Sequence, residues 1–281
     1  MPQTLAEIRS LLAAIDRRPK HRLGQNFLHD HNKLNQIIEA ADVQPNDTIL
    51  EVGPGTGALT EQLLQIGASV IAVEIDPDLC QILRNQFGLD TNRWRLIHAD
   101  VMANKHTLDP SVVEALQSVA QFSLIANLPY QIASPLLLTL ACDHLALTRA
   151  TVMVQREVAD RITAPPADPG QNRSGKDYGP LSVMLQSMFN VQRIMTLPPG
   201  CFWPPPKVDS AVVQLTRHPK PLTHEPQKLR ALVHLLFTRR RKQIGTILGR
   251  DAQLPPGVTP AMRPEQLTIQ QLIAIQQSNV E

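Results

Sequence analysis

A chain of 281 residues, 43% of them hydrophobic, carries enough apolar material for a sizeable core and exceeds the length at which single cores stop growing; it excludes a disordered or fibrous protein and predicts one large domain plus a small one. Its longest apolar stretch, Ile132 to Cys142, is interrupted by Ser134, Pro135 and Thr139 and falls short of the roughly 18 residues that span a bilayer, while Glu7 and Asp16 spoil any secretory signal, so a cytoplasmic protein with no membrane attachment is expected. The net charge of +2 is unevenly spread: Arg17, Arg18, Lys20 and Arg22 form one acid-free cluster, and Arg217 to Arg250 holds nine Lys/Arg against Glu225 alone.

In chain order, Thr4-Leu-Ala-Glu7 is a capping box ahead of a helix to about Ile15. The first basic cluster follows, running into Gly24 and Asn26. Asp30 caps a helix through Ala41 that ends near the turn Gln44-Pro-Asn-Asp47. Apolar runs of strand length, Thr48–Val52, Ser69–Val73, Arg95–His98, Ser123–Ala126 and Thr151–Val154, then alternate with helical stretches at Leu59–Gln65, Pro77–Gln86, Pro110–Val119 and Ile132–Leu140. Near-continuous apolar strands joined by helices predict a parallel sheet covered on both faces, an α/β domain of doubly wound type over residues 1–217. Val191–Leu197 and Ser210–Leu215 read as an antiparallel edge hairpin. Beyond Thr216 the strand signal ends, and Gln227–Leu236, Arg241–Leu248 and Glu265–Gln276 predict a small, basic helical domain over residues 218–281. Cys80, Cys142 and Cys201 are far apart, with neither CxxC spacing nor clustered histidines, so packing roles are expected and neither a disulfide framework nor a metal site.

Ligands bind an open parallel sheet outside the carboxyl ends of its strands, and those positions are polar here. The first of these strands runs into Glu51-Val-Gly53-Pro-Gly55-Thr-Gly57, where glycines permit a tight turn and the next helix offers free N–H groups to an anion. The second ends in Glu74, suited to accept the hydroxyls of a ribose; the third ends near Asp100 and the fourth in Asn127. A glycine-rich turn alone leaves a dinucleotide enzyme open, since G-x-G-x-x-G looks similar. The order E-x-G-x-G-x-G followed by Glu74 and Asp100 resembles the motifs of S-adenosylmethionine-dependent methyltransferases. By that resemblance the turn, with Gly53 and Gly55, lies against the methionine part of the cofactor, Glu74 binds its ribose and Asp100 its adenine amine.

Asn127-Leu-Pro-Tyr130 resembles the [Asn/Asp/Ser]-x-Pro-[Tyr/Phe] signature of enzymes that methylate an exocyclic amine. Such an amine is a poor nucleophile because its lone pair is delocalised. The Asn127 amide oxygen and the Leu128 carbonyl can accept its two hydrogens and aim the lone pair. Pro129 biases Leu128 toward an extended backbone, and Tyr130 offers a stacking face to a flipped base.

Together with His21-Arg-Leu-Gly-Gln-Asn-Phe-Leu28, Gln155-Arg-Glu-Val158, Tyr178-Gly-Pro-Leu-Ser-Val183 and Phe202-Trp-Pro-Pro-Pro-Lys-Val-Asp-Ser210, these motifs resemble the ribosomal RNA adenine N6-methyltransferase family over nearly the whole chain, most closely its branch acting on small-subunit (16S) rRNA. The resemblance implies a Rossmann-like class I methyltransferase domain followed by a helical one. It also implies S-adenosyl-L-methionine as cofactor, with Asn26 and Leu28 closing over it, and Phe202 sandwiching the target base opposite Tyr130. The implied reaction is dimethylation of two adjacent adenosines in the 3′-terminal hairpin loop of the rRNA within a pre-30S particle, by a monomer. Arg17, Arg18, Lys20, Arg22, Arg239, Arg240, Arg241 and Lys242 are the expected RNA-binding residues, although either cluster alone reads equally as a solvated face. A large-subunit (resistance-type) enzyme, a non-catalytic ribosome-assembly factor and a nicotinamide oxidoreductase are the alternatives. The chain departs from the family at Ala164 to Gly175, a longer segment expected to be a flexible surface insertion, and at Trp203, expected to be a packed anchor.

Overall fold

The computed structural model describes residues 3–249 and 252–278; Arg250 of the basic segment, and residues 1, 2 and 279–281 of the two expected domains, lie outside the described residues. Helix α1 (Leu5–Ala13) starts at Thr4, whose hydroxyl accepts the Glu7 N–H while the Glu7 carboxylate takes the Thr4 N–H, the reciprocal capping box read from the sequence. Strand β1 (Phe27–Leu28) precedes α2 (His31–Ala41), capped by the Asp30 carboxylate. Strands and helices then alternate: β2 (Thr48–Val52), α3 (Ala58–Ile66), β3 (Ser69–Glu74), α4 (Pro77–Phe87), β4 (Trp94–His98), the paired β5 (Met102–Asn104) and β6 (Thr107–Leu108), α5 (Pro110–Gln117), β7 (Phe122–Asn127), α6 (Ala133–Asp143), β8 (Leu147–Gln155) and α7 (Arg156–Thr163). They are followed by α8 (Pro180–Met188), β9 (Phe189–Leu197), β10 (Phe202–Trp203), β11 (Ser210–Arg217), α9 (Pro226–Thr238), α10 (Ile244–Leu248) and α11 (Ile269–Ser278). No helix among the described residues is long and apolar enough to cross a membrane.

The main sheet has the order β4-β3-β2-β7-β8-β11-β9. Strands β2, β3, β4, β7 and β8 are parallel, as their apolar runs predict: Ile49, Leu50, Val70, Ala72, Leu124 and Val152 are each at most 1% exposed, covered from both faces. Along the sheet the chain winds outward from β2 in one direction through β3 and β4, and in the other through β7 and β8. The carboxyl ends of β2 and β7 therefore flank the switch point where ligands enter such sheets. The two late strands are neighbours as expected, but β11 lies antiparallel against β8, and β9 alone occupies the edge.

Contacts divide the chain into two units. One comprises residues 1–140, 144–159 and 192–216; the other comprises 141–143, 160–191 and 217–281. The contiguous boundary drawn at 217 from the sequence leaves out residues 160–191, which cluster with the C-terminal helices. Their helix α8 carries no periodic signal because it is buried nearly all round, through Leu181, Val183, Met184, Leu185 and Met188. Tyr178 is fully buried and meets Phe237 edge-on at 6.0 Å, so the Tyr-Gly-Pro-Leu-Ser-Val motif is packing in this unit. The segment expected to be a flexible insertion is pinned: the Ala167 N–H donates to the Glu265 carbonyl, Arg173 pairs with Asp168 at 3.1 Å, and Arg240 donates to the carbonyls of Gly175 and Lys176. Helix α10 begins at Ile244 rather than Arg241, which leaves Arg239 to Lys242 in the turn after α9.

Candidate active site

The polar strand ends meet around one cavity of about 770 Å³, lined by Asn26 and Leu28, Glu51, Gly53 and Gly55, Glu74, Asp100, Asn127, Pro129 and Tyr130. The turn after β2 is built for close approach. Gly53 has φ +69° and donates its N–H to the Val73 carbonyl; a Cβ there would stand 3.6 Å from the Pro129 ring. Gly55 has φ +63°, and a Cβ would press to 3.2 Å on the Phe27 ring. Both positions therefore need glycine: Gly53 brings the turn against the Asn-Leu-Pro-Tyr segment and Gly55 brings it against β1.

Two carboxyls on the cavity wall are almost sealed from water. Glu51 is 1% and Glu74 is 4% exposed. Burial lifts Glu51 to about 8 against one compensating bond, from the Thr60 hydroxyl at 2.6 Å. Burial likewise lifts Glu74 to about 7, opposed by the N–H groups of Asp76 at 2.8 Å and Gly55 at 3.4 Å. Such a pair favours a ligand that brings positive charge and hydroxyl donors. Asp100 is exposed on the rim and holds the Met102 N–H at 3.0 Å.

Asn127 ends β7, and its side-chain N–H donates to the Asn26 carbonyl at 3.0 Å. That bond occupies the donor end of the amide and leaves its oxygen as the acceptor. Leu128, the next residue, is not among those that line the cavity: its side chain is 1% exposed, and its N–H is fixed on the Met153 carbonyl at 3.1 Å. The Tyr130 ring is half-buried, with its hydroxyl anchored on the Ser210 hydroxyl at 3.0 Å. Burial raises this phenol above its ordinary value, so it is uncharged at neutral pH.

Three expectations need correction. Phe202 does not line the cavity: it is 3% exposed, sits opposite Leu28 in the β1–β10 pair and belongs to the main hydrophobic core. Its aromatic ring serves packing, and Phe202→Ala is expected to destabilise the protein by about 3–5 kcal/mol in denaturant unfolding; a loss of RNA methylation with unchanged stability would instead support stacking. In the N-terminal basic cluster, Arg17 pairs with Asp78 at 3.0 Å and Lys20 with Asp76 and Asp78, so of the four only Arg18 and Arg22 are without a hydrogen-bond or ion-pair partner among the described residues. In the C-terminal run, Arg240 is committed to Gly175, Lys176 and Glu265, while Arg239, Arg241 and Lys242 are exposed. Trp203 is the anchor expected, stacked on Phe27 at 6.4 Å with Arg9 over its ring at 5.2 Å.

The structure also brings in residues that sequence reasoning did not select. Gln155, Lys207 and Val208 line the cavity, Lys207 and Val208 as exposed rim groups. The Gln3 side chain exchanges two 2.7 Å hydrogen bonds with Thr56, docking the N-terminal segment on the glycine turn. Lys207 sits inside the quoted proline motif and was legible there; no local pattern marks Gln3, whose partner is 53 residues away.

The model of the family described as ribosomal RNA adenine dimethylase matches residues 17–279. A ribosomal RNA small subunit methyltransferase A of Lactobacillus acidophilus is 37% identical over 272 residues, covering 91% of this chain and 90% of its own. The protein of that name from Anaeromyxobacter sp. strain K is 37% identical over 286 residues, 96% of each chain. Among solved structures, a dimethyladenosine transferase from Plasmodium falciparum is similar with a TM-score of 0.69 and 25% identity, over 89% of this chain and 95% of that one. The 23S rRNA methyltransferase ErmE is similar with a TM-score of 0.61 and 27% identity, over 90% and 100%. With the switch-point cavity, the Asn127 segment and these full-length matches in agreement, the chain belongs to the ribosomal RNA adenine dimethylase family.

Proposed function

We propose that the protein transfers methyl groups from S-adenosyl-L-methionine to N6 of two adjacent adenosines in the 3′-terminal hairpin loop of small-subunit rRNA, two per base, acting as a cytoplasmic monomer on a pre-30S particle. The observation that carries this reading is Asn127, held by the Asn26 carbonyl with its acceptor oxygen left over, on the wall of the cavity that also contains Glu51, Glu74 and Asp100. These residues fit the cofactor: buried carboxyls suit its positive charge and ribose hydroxyls, and the glycine turn admits its backbone closely. When bound, the cofactor supplies an electrophilic methyl group on a sulfonium.

The chain's own part is orientation. Glu74 accepts the ribose hydroxyls and Asp100 the adenine amine. Asn127 and the Leu128 carbonyl accept the two N6 hydrogens of the target, which localises the nitrogen lone pair along one direction. Tyr130 stacks the flipped base. No strong base is needed, because the N6 proton becomes acidic on alkylation and passes through these acceptors to water. Arg22 and Lys207 on the cavity wall, Arg18 close by in the chain, and Arg239, Arg241 and Lys242 in the helical domain contact rRNA phosphates and make binding steeply salt-dependent.

Incubation with radiolabelled S-adenosylmethionine and under-methylated ribosomal subunits, followed by mass mapping of the RNA, tests the reading. Dimethyladenosine at two adjacent positions near the 3′ end of small-subunit rRNA is expected. Label in large-subunit rRNA would assign the resistance-type reaction, and binding without label would assign an assembly factor.

A further inference from the structure

We infer that Lys20 is a positioning residue for the cofactor, a latch that clamps the segment Pro19–Leu28 along the cavity through Asp76 and Asp78, and is not an RNA contact. The inference rests on the S-adenosylmethionine reading above.

The segment from residue 19 to 28 lines the cavity almost continuously, all but Lys20, so any shift of this segment reshapes the wall that meets a ligand. Its end, β1, is paired with β10, and residues 19–26 ahead of that pair are tied down at two points. At the first, the Lys20 ammonium lies 2.5 Å from one oxygen of Asp76 and 2.6 Å from Asp78, while Gln25 donates to the other Asp76 oxygen at 2.6 Å and accepts the Lys20 N–H at 2.7 Å. At the second, the Asn26 carbonyl takes the Asn127 amide. Asp76 joins these ties to the cofactor acid: it is 1% exposed, caps α4 through the Asp78 N–H, and donates its own N–H to Glu74 at 2.8 Å.

An exposed ion pair contributes little, but this one has a buried carboxylate on one side, and removing its partner leaves that charge poorly compensated. Residues 19–25 would then be held less firmly in the ligand-free protein, and the share of their ordering left to ligand binding falls on affinity. Gly24, at φ +66°, lies between the two ties and supplies the turn that lets the segment fold back over Pro129. The latch explains why two of the four clustered cations are committed to acids: Arg18 and Arg22 remain for phosphates, whereas Arg17, itself exposed, and Lys20 hold the start of α4.

Lys20→Gln is expected to raise the dissociation constant for S-adenosylhomocysteine about tenfold, carried by faster dissociation, and to raise KM for S-adenosylmethionine with kcat at saturation unchanged. Amide hydrogen exchange of residues 19–26 in the ligand-free protein should accelerate. Lys20→Arg should restore most of both, and Asp78→Asn, at a partly exposed position, should shift both in the direction of Lys20→Gln. RNA affinity and its salt slope should match wild type. Unchanged cofactor affinity and exchange in Lys20→Gln would overturn the latch, as would a fall in the RNA salt slope of about 0.7, one single-strand phosphate contact, with cofactor binding intact. If wild type itself failed to bind S-adenosylhomocysteine, the cofactor reading would fall, and the exchange measurement would still decide whether Lys20 holds the segment.

Discussion

Asn127→Ala is expected to lower methyl transfer by about 10²–10³-fold, the usual loss for one oriented group that stabilises the transition state. Cofactor binding survives, weakened by no more than about fivefold, because the change also removes a neutral hydrogen bond of ~1 kcal/mol to the Asn26 carbonyl. The asymmetry follows from geometry. The amide nitrogen holds the Asn26 carbonyl, and on the proposed reading the amide oxygen serves the target base, so truncation should cost the segment one tie and the reaction its aimed nucleophile. Asn127→Asp separates the two roles: it keeps an acceptor and loses the donor, and it should retain partial activity with a larger cofactor defect than Asn127→Ala. Single-turnover rates with saturating cofactor, beside calorimetry with S-adenosylhomocysteine, measure both quantities. Near-normal turnover in Asn127→Ala would remove the acceptor mechanism.

Glu74→Gln should act on the other parameter, raising the cofactor dissociation constant by about 10- to 100-fold, the 1.5–3 kcal/mol of hydrogen bonds to a charged acceptor, with kcat at saturation preserved. A pure turnover defect would show that the carboxylate acts on the reaction and not on the ribose. The burial that makes Glu74 and Glu51 useful also makes them pH-sensitive. Both titrate in the folded protein above their ordinary 4.5, near 7 and 8. Between 4.5 and those values the unfolded chain has released protons that the folded chain still holds, so stability falls as pH rises through this window. Cofactor affinity should run the opposite way, since on the proposed reading ionised Glu74 accepts ribose hydroxyls and ionised Glu51 favours a cation. Thermal unfolding of the ligand-free protein should therefore drop in midpoint from pH 5 to pH 8, and S-adenosylhomocysteine should stabilise more at pH 8 than at pH 5. Glu51→Gln should flatten the first dependence, because an amide keeps its bond from Thr60 without a proton to lose; a ligand-free profile identical to wild type would refute the assignment.

Much of the site was legible because its parts are local. A strand end, a turn and the start of a helix lie within a few residues, so Glu51 to Gly57, Glu74, Asp100 and Asn127 to Tyr130 could each be read in place, and the parallel order of the strands then brought them to one cavity. Phe202 was misread for the opposite reason. Its neighbour across the strand pair is Leu28, far away in the chain, and an aromatic beside a proline run looks the same whether it faces a ligand or a core. The basic cluster was misread similarly: charge is visible in sequence, whereas the acids that neutralise Arg17 and Lys20 lie 61, 56 and 58 residues away.

By itself, then, the sequence determined the winding of the sheet, the capping of α1 and α2, the glycine turn and the identity of the groups at each strand end, because backbone preference and apolar periodicity act over a few residues. Tertiary structure alone decided which of four cations hold the segment over the cavity, which aromatic is core, and that residues 160–191 join the C-terminal helices. Those outcomes depend on which side chains share buried space, and buried space is allotted by packing between parts of the chain that have no local information about one another.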